Sequence, residues 1–175
     1  MAVKILTIST GKCANISLSN SFQEEEKTIL SAIAKTPVSS IDNQAVIRCG
    51  LEGLQGDEHA DLSVHGGQAK AIYCYPVEHY DYWRNAIEAS EIHLSRLNQH
   101  GALGENLTIE GIVEDQVFVG DVWKISDVEL EVTAPREPCF KFNAIMGDRL
   151  AGKKMFSQGL CGWYFSVRNP GSPRV

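Results

Sequence analysis

No run of apolar residues in this sequence approaches the ~20 needed to cross a bilayer as a helix, so no membrane association is expected. The opening MAVKILTISTGKC has too short an apolar stretch for a secretion signal and no small-residue cleavage site after it. Positive charge is in deficit. With 16 Lys and Arg against 22 Asp and Glu, the formal net charge is -6, which argues against the broad basic face used for non-specific nucleic-acid binding. Cysteine is sparse: Cys13, Cys49, Cys74, Cys139 and Cys161 form an odd set without a C-x-x-C pair. That pattern leaves out zinc knuckles, thioredoxin-type dithiols and the thiolate sets of iron–sulfur clusters. Reduced thiols in a cytoplasmic protein are the simplest expectation. There is no G-x-G-x-x-G dinucleotide loop, internal repeat or low-complexity tract. The 175 residues, 43% apolar and 22% charged, suffice for a hydrophobic core and are short enough for a single domain over 1–175.

The hydrophobic pattern predicts a mainly β fold. Val3–Thr10 reads as a strand covered on both faces, because its apolar residues do not alternate cleanly. Asn15 to Lys27 is a surface excursion or short helix, and Pro37 is expected to end any regular element before Val38. Ala45–Arg48 and Ala71–Tyr75 are strand candidates on either side of an irregular, glycine-rich stretch from Gly50 to Gly67. Val77–Glu88, opened by Pro76, is predicted helical with Val77, Tyr80, Trp83 and Ile87 on one face. A weaker helix covers Glu91–Asn98. Val117–Val119, Val122–Ile125 and Val128–Thr133 are short strands divided by Gly120-Asp121 and Ser126-Asp127. Ile145–Phe156 is predicted as one helix, Gly162–Val167 as a closing strand and 170–175 as a flexible tail. Many short strands with a few peripheral helices point to a distorted β-barrel or folded-over sheet.

Two stretches depart from ordinary core and surface. The first runs Gly56-Asp57-Glu58-His59-Ala60-Asp61, then Val64-His65-Gly66-Gly67-Gln68-Ala69-Lys70. Paired glycines let the backbone pass close to a ligand, successive amides can cradle an anion, and Lys70 adds charge. Metal binding by His59, His65, Asp57 and Asp61 is the rival reading, although the spacing matches no well-specified zinc motif. A purely structural loop, held by carboxylates accepting amide hydrogen bonds, is the third. The second stretch is Ala134-Pro135-Arg136-Glu137-Pro138-Cys139-Phe140-Lys141, where two prolines stiffen a loop that follows a strand. Arg136 and Lys141 would favour a thiolate at Cys139, which would also be a soft metal ligand; a small buried hydrophobe is the alternative. From Arg136 to Lys154 there are five basic residues against two acids, a local reversal of the overall charge.

The segments Gly53-Leu54-Gln55-Gly56-Asp57 with Ala60-Asp61, His65-Gly66-Gly67 with Lys70-Ala71, Gly104-Glu105-Asn106-Leu107, Gly120-Asp121 and Pro135 to Lys141 recur in one order, with Gly162-Trp163-Tyr164 in support. Together they resemble the MOSC domain family, named for its place at the carboxyl end of molybdenum-cofactor sulfurases, and in particular its small stand-alone bacterial members of the YiiM type. The resemblance covers Lys35 to Val167 and leaves 1–34 as the less well matched N-terminal part.

That resemblance implies a mainly β, distorted-barrel fold and a molybdenum-pterin cofactor (Moco) whose metal takes the Cys139 thiolate as ligand. It implies reduction of N-hydroxylated compounds such as hydroxylaminopurines, with Cys139 catalytic. Arg136 and Lys141 would favour the anionic cofactor. His65, Gly66, Gly67 and Lys70 would form a second wall, and Asn106 would orient the pocket. Asp57 and Asp61 would hold their loop, and His59 stands where members often carry glutamine. Sulfurase-context relatives imply a different class, a persulfide carrier or transferase, and a non-catalytic cofactor-binding module is a third. A reductase of this kind would need a separate electron-donor protein, since the chain shows neither a cluster motif nor a dinucleotide loop. A homodimer is the default expectation for a small enzyme.

Overall fold

Alternation is lost only at the centre of the main sheet, where strands are buried on both faces. The structure, a computed structural model, describes residues 3–18, 27–61 and 66–175. In chain order the strands are β1 (Lys4–Thr10), β2 (Ala14–Leu18), β3 (Lys27–Ser31), β4 (Thr36–Ser40), β5 (Cys49–Gly50), β6 (Gly53–Leu54), β7 (Ile72–Pro76), β8 (Leu107–Glu110), β9 (Val122–Ile125), β10 (Val128–Pro135) and β11 (Trp163–Asn169). The helices are α1 (Tyr80–Ala86), α2 (Glu91–Arg96), α3 (Phe140–Met146) and α4 (Ala151–Gln158). Seven strands form one curled, half-barrel sheet in the order β4-β1-β8-β7-β11-β10-β9. Only β7 and β8 run parallel among these pairs, and α1 and α2 lie in the crossover between them. Register shifts in β1 at Ile8–Ser9 and in β10 at Val132–Ala134 mark bulges, which bend strands and promote the curl.

One face of the sheet buries Ile8, Ile72, Cys74, Leu107, Leu130, Trp163 and Phe165. The other packs Tyr73 and Tyr75 against Trp83, Leu103, Phe142 and Met155 from the helical side. Every residue of β7 is buried, so it reads as a continuous apolar run. Tyr80, Trp83 and Ile87 of the predicted helical face are buried as expected; Val77–His79 is a 3₁₀ turn before α1 begins. Trp83 Nε1 donates to Tyr75 Oη at 2.7 Å, satisfying an indole in a dry setting.

Several expected elements come out differently. Pro37 does not stop a strand. It lies in β4, at the edge of the sheet, where a missing N–H is tolerated. Asn15 to Lys27 enters a hairpin, β2 with β3, rather than a helix; residues 19–26 lie outside the described residues. Ala45–Arg48 is not a strand, since its neighbourhood is tied by the Ser40–Asn43 turn and by Ala45 N–H to Ser39 Oγ at 3.0 Å. Val117–Val119 forms a turn in which Asp121 accepts from Phe118 N–H at 2.9 Å. Ile145–Phe156 is two helices, because Gly147 takes φ 64° and a Cβ there would lie 2.5 Å from His93. The expected flexible tail is pinned: Gly171 bridges Cys49, and Ser172 N–H donates to Asp127 at 2.8 Å. Among the described residues no helix is long and apolar enough to cross a membrane.

His100 sits edge-on to Tyr80 at 5.8 Å and shares a hydrogen bond with Thr7 Oγ1. Burial lowers its pKa from 6.5, with Arg84 adding to the effect and Glu105 opposing it. The folded chain therefore binds this proton less readily than the unfolded chain. Its stabilising contribution is present above about pH 6.5 and lost as pH falls through that value towards the folded pKa. Urea midpoints measured between about pH 7.5 and 5 should fall on acidification, and His100→Gln should flatten that fall. An unchanged slope in the variant would assign the pH dependence elsewhere.

Candidate active site

The site begins where β10 ends. Pro135 pairs with Trp163 of β11, and the Arg136 N–H then bonds the Gly162 carbonyl at 3.2 Å, so the loop leaves the sheet under control. Pro138 restricts the next step, and Cys139 takes the N-cap position of α3 in extended backbone, φ -111° and ψ 173°, without a side-chain capping bond. Cys139 is half-buried and outside any disulfide.

Arg136 lies inward of it. Its Nη1 donates to the Leu103 carbonyl at 2.6 Å, and its guanidinium carbon lies 4.5 Å from the Tyr73 ring centroid and 4.8 Å from that of Phe142. Burial opposes its charge, but Tyr73, Tyr164 and Cys139 more than compensate, and its pKa is raised. The guanidinium is thus a permanent positive charge near the Cys139 sulfur. Part of its fork is already committed to protein.

A second wall is built on Asp57. Its side chain is 1% exposed and accepts from Gly11 N–H at 2.7 Å, Asn106 Nδ2 at 2.9 Å and Lys35 Nζ. Asn106 also accepts from Tyr73 N–H at 3.0 Å and donates to the Ser9 carbonyl at 3.2 Å, joining β1, β7 and the Asp57 loop. Burial lowers the Lys35 pKa, with the Asp57 carboxyl pulling it back up. Asp57 is therefore consumed in holding loops together, as a buried charge partner must be. No group of three or more His, Cys, Asp or Glu able to hold a metal ion occurs among the described residues, and the rival zinc-type reading gains no support from His59, Asp57 and Asp61.

The third wall is Gly66, Lys70 and Tyr164. Gly66 has φ 89°, and a Cβ there would fall 2.6 Å from the His59 ring, so only glycine admits this approach. Lys70 Nζ lies 5.7 Å from the Tyr164 ring centroid, and Tyr164 stands opposite Tyr73 across the β11–β7 ladder. These walls line a cavity of about 90 Å³ that opens to solvent.

Of the residues singled out from sequence, Gly66, Lys70, Asn106, Arg136, Cys139 and Lys141 line this cavity. Gly67 does not. It starts the 3₁₀ turn Gln68–Lys70, accepting from Lys70 N–H at 2.9 Å, and so orients Lys70 instead of forming the wall. His65 lies outside the described residues. Asp61 is exposed. Sequence reasoning missed Lys35, Tyr73 and Tyr164. Lys35 carried a faint signal as a lone cation after Ala32-Ile33-Ala34; the tyrosines sit in apolar strands and carried none. Elsewhere, burial raises the pKa of Cys13, Cys74 and Cys161 and pushes Cys49 up to about 11, which keeps those thiols protonated and poorly nucleophilic.

The MOSC domain family matches residues 61–175 of this chain. The chain belongs to the MOSC family. Among curated proteins it is 34% identical over 157 residues to YflK of Bacillus subtilis, covering 90% of this chain and 66% of that protein. It is 38% identical over 120 residues to YiiM of Escherichia coli, covering 68% and 51%. A Gibberella moniliformis protein named a reductase is 39% identical over 127 residues, covering 71% and 21%. The MOSC chain thus spans between about a fifth and two-thirds of these relatives' lengths. The crystal structure of YiiM from Geobacillus stearothermophilus superposes with a TM-score of 0.68 at 27% identity, over 99% of this chain and 74% of that one. These similarities place it with the YiiM-type members of the family.

Proposed function

We propose that this MOSC protein binds a molybdenum-pterin cofactor and reduces N-hydroxylated compounds such as hydroxylaminopurines. The observation that carries the reading is Lys141. The residue is only 9% exposed on the cavity wall beside Cys139, and no hydrogen bond or ion pair engages it among the described residues. A cation on a cavity wall without a protein partner favours an anion there.

The donor set fits such a group. One soft sulfur shares the cavity wall with Arg136, Lys141 and Lys70, which suits an anionic, dithiolene-bearing ligand, and no cluster of metal-holding His, Cys, Asp or Glu competes among the described residues. The MOSC family is associated with molybdenum-cofactor binding, and a relative's name, reductase, agrees with the reaction class. Cys139 would ligate the metal, Lys141 and Lys70 would hold the anionic part of the cofactor, and Arg136 would contribute fixed charge from behind. Gly66 would let backbone approach closely, while Asp57 and Asn106 position the wall. When bound, the molybdenum pterin supplies the two-electron chemistry for N–O cleavage. The chain's own task is to orient the substrate and manage protons. The Glu58 carboxyl, held below its ordinary value by the Cys13 N–H and by Lys12, is a poor proton donor, which leaves His59 as the neighbouring wall group suited to that role.

Expression in a host that makes the molybdenum pterin should yield stoichiometric Mo and turnover of hydroxylaminopurine with reduced methyl viologen. Bound Mo without turnover would mean a cofactor-binding module. A labile sulfane sulfur on Cys139 with no Mo would mean a sulfur carrier, and the reductase reading would be wrong.

A further inference from the structure

Gly162, whose carbonyl takes the Arg136 N–H at the root of the Cys139 loop, is itself fixed by a side chain from outside the cavity. Glu114 opens the 3₁₀ turn Glu114–Gln116 and is not part of the cavity wall. Its Oε1 accepts from Gly162 N–H at 2.7 Å. Its Oε2 shares a 2.7 Å hydrogen bond with Nε2 of His79, in the turn that follows β7. A carboxylate offers only lone pairs, so the His79 Nε2 carries the proton. We infer that Glu114 is a positioning residue for the Cys139 loop, acting through Gly162 on the backbone of Arg136.

The approach to Gly162 shows why this one carboxylate matters. Tyr75 Oη donates to the Leu160 carbonyl at 3.0 Å, and Tyr73 Oη donates to that of Cys161 at 2.8 Å. Both tyrosines thus hold carbonyls and leave the Gly162 N–H to be met from elsewhere. Gly162 has φ 61°, and a Cβ there would lie 2.3 Å from the Cys74 carbonyl oxygen, so the chain is pressed against β7 at this point. Glu114 meets the amide with an ionised acceptor, which makes a stronger hydrogen bond than a neutral one. Burial would raise its pKa, but the bonds from His79 and from the Gly162 N–H outweigh burial and hold it below its ordinary value. His79 in turn stands edge-on to the Tyr75 ring at 5.6 Å, which ties the brace to β7. Arg136 is therefore anchored twice. Its guanidinium is held by the Leu103 carbonyl and the Tyr73 ring, and its backbone by Gly162. Losing Glu114 loosens only the second anchor, which lets the Cys139 loop shift relative to the fixed charge behind it.

Amide hydrogen exchange on the chain separates this role from general stability. In Glu114→Ala, protection of the Gly162 and Arg136 amides should fall together by at least ~10-fold, while amides of β1 and β8 keep theirs. Glu114→Gln keeps an oxygen for Gly162, and its NH₂ can donate to His79 Nε2 in the other tautomer, so it should restore most of that protection. A second arm rests on the reductase reading. Viologen-driven turnover per bound Mo should fall ~10-fold in Glu114→Ala with KM little changed, and should recover in Glu114→Gln. His79→Ala leaves the Gly162 bond but frees the other oxygen. It should lower protection at the same two amides by a smaller factor, and it decides the matter if Glu114→Ala does not fold. Loss of protection at Gly162 with Arg136 unchanged would overturn the positioning role. So would an even loss across the sheet, or a Glu114→Gln protein no better than Glu114→Ala. Absence of viologen-driven turnover in the wild type would sink the reductase reading instead, and exchange would still judge Glu114.

Discussion

Cys139→Ala should leave the protein folded and remove its reductase activity, by roughly 10³-fold or more in viologen-driven turnover. The asymmetry follows from where the thiol sits. Cys139 is half-buried and makes no capping bond to α3, so truncating it removes little packing and leaves the helix start as it is. A melting temperature within a few degrees of wild type is expected, in line with substitutions that cost about 0.5 kcal/mol or less. The sulfur is, however, the one thiol on the cavity wall, close enough to Arg136 and Tyr164 to affect both their acidities. Bound Mo should fall with activity. Retention of near-wild-type turnover by Mo-loaded Cys139→Ala would remove Cys139 from the chemistry. Parallel substitution of Cys74, which is fully buried, should do the reverse, perturbing stability more than rate.

The largest stability loss should come from a residue outside the cavity. Glu105 is 0% exposed and accepts from Gly101 N–H at 2.7 Å, Leu103 N–H at 3.0 Å, Thr108 Oγ1 at 2.9 Å and the Tyr80 hydroxyl. Burial, reinforced by the Glu105 carboxyl, raises the Tyr80 pKa far above its usual value, so that hydroxyl remains a donor. Glu105→Ala strands four donors in a dry interior and should cost about 3–5 kcal/mol, read as a lower urea midpoint at unchanged m. Glu105→Gln should cost less but still destabilise, because in either orientation its NH₂ meets a backbone N–H, of Gly101 or of Leu103, that can only donate. The exposed Glu110, 3.4 Å from Lys4, serves as the control; its alanine variant should shift stability by under about 0.5 kcal/mol. A Glu105→Ala loss no larger than that of Glu110→Ala would show the network to be dispensable. The consequence for the site is direct. The turn that Glu105 braces presents the Leu103 carbonyl that holds Arg136, so Mo occupancy should drop along with stability.

Two strands were easy to read: Ala71–Tyr75, whose apolar run is set by burial on both faces, and Gly162–Val167, where Trp163, Phe165 and Val167 alternate into the core. Errors gathered where a local device outcompeted the apolar pattern. Gly147 divides a helix that periodicity joined, and the Asp121 side chain folds Val117–Val119 into a turn. The sequence showed a candidate thiol in a stiff loop, with basic residues close to it in the chain. It did not show that Tyr73, Tyr164 and Lys35 complete the walls, because strand residues and a lone lysine look the same wherever they point.

Composition and motif order alone determined that this is a mainly β chain of the MOSC type with one cysteine, Cys139, set apart in a proline-stiffened loop. Those properties depend on residue identity and local backbone freedom, which are written along the chain. Tertiary structure alone decided that Arg136 is buried between two rings, that Asp57 is spent on Lys35 and Asn106, and that Lys141 lines the cavity without a partner among the described residues. Burial and hydrogen-bond competition are set by which segments the sheet brings together, and that is a property of contacts between residues far apart in sequence.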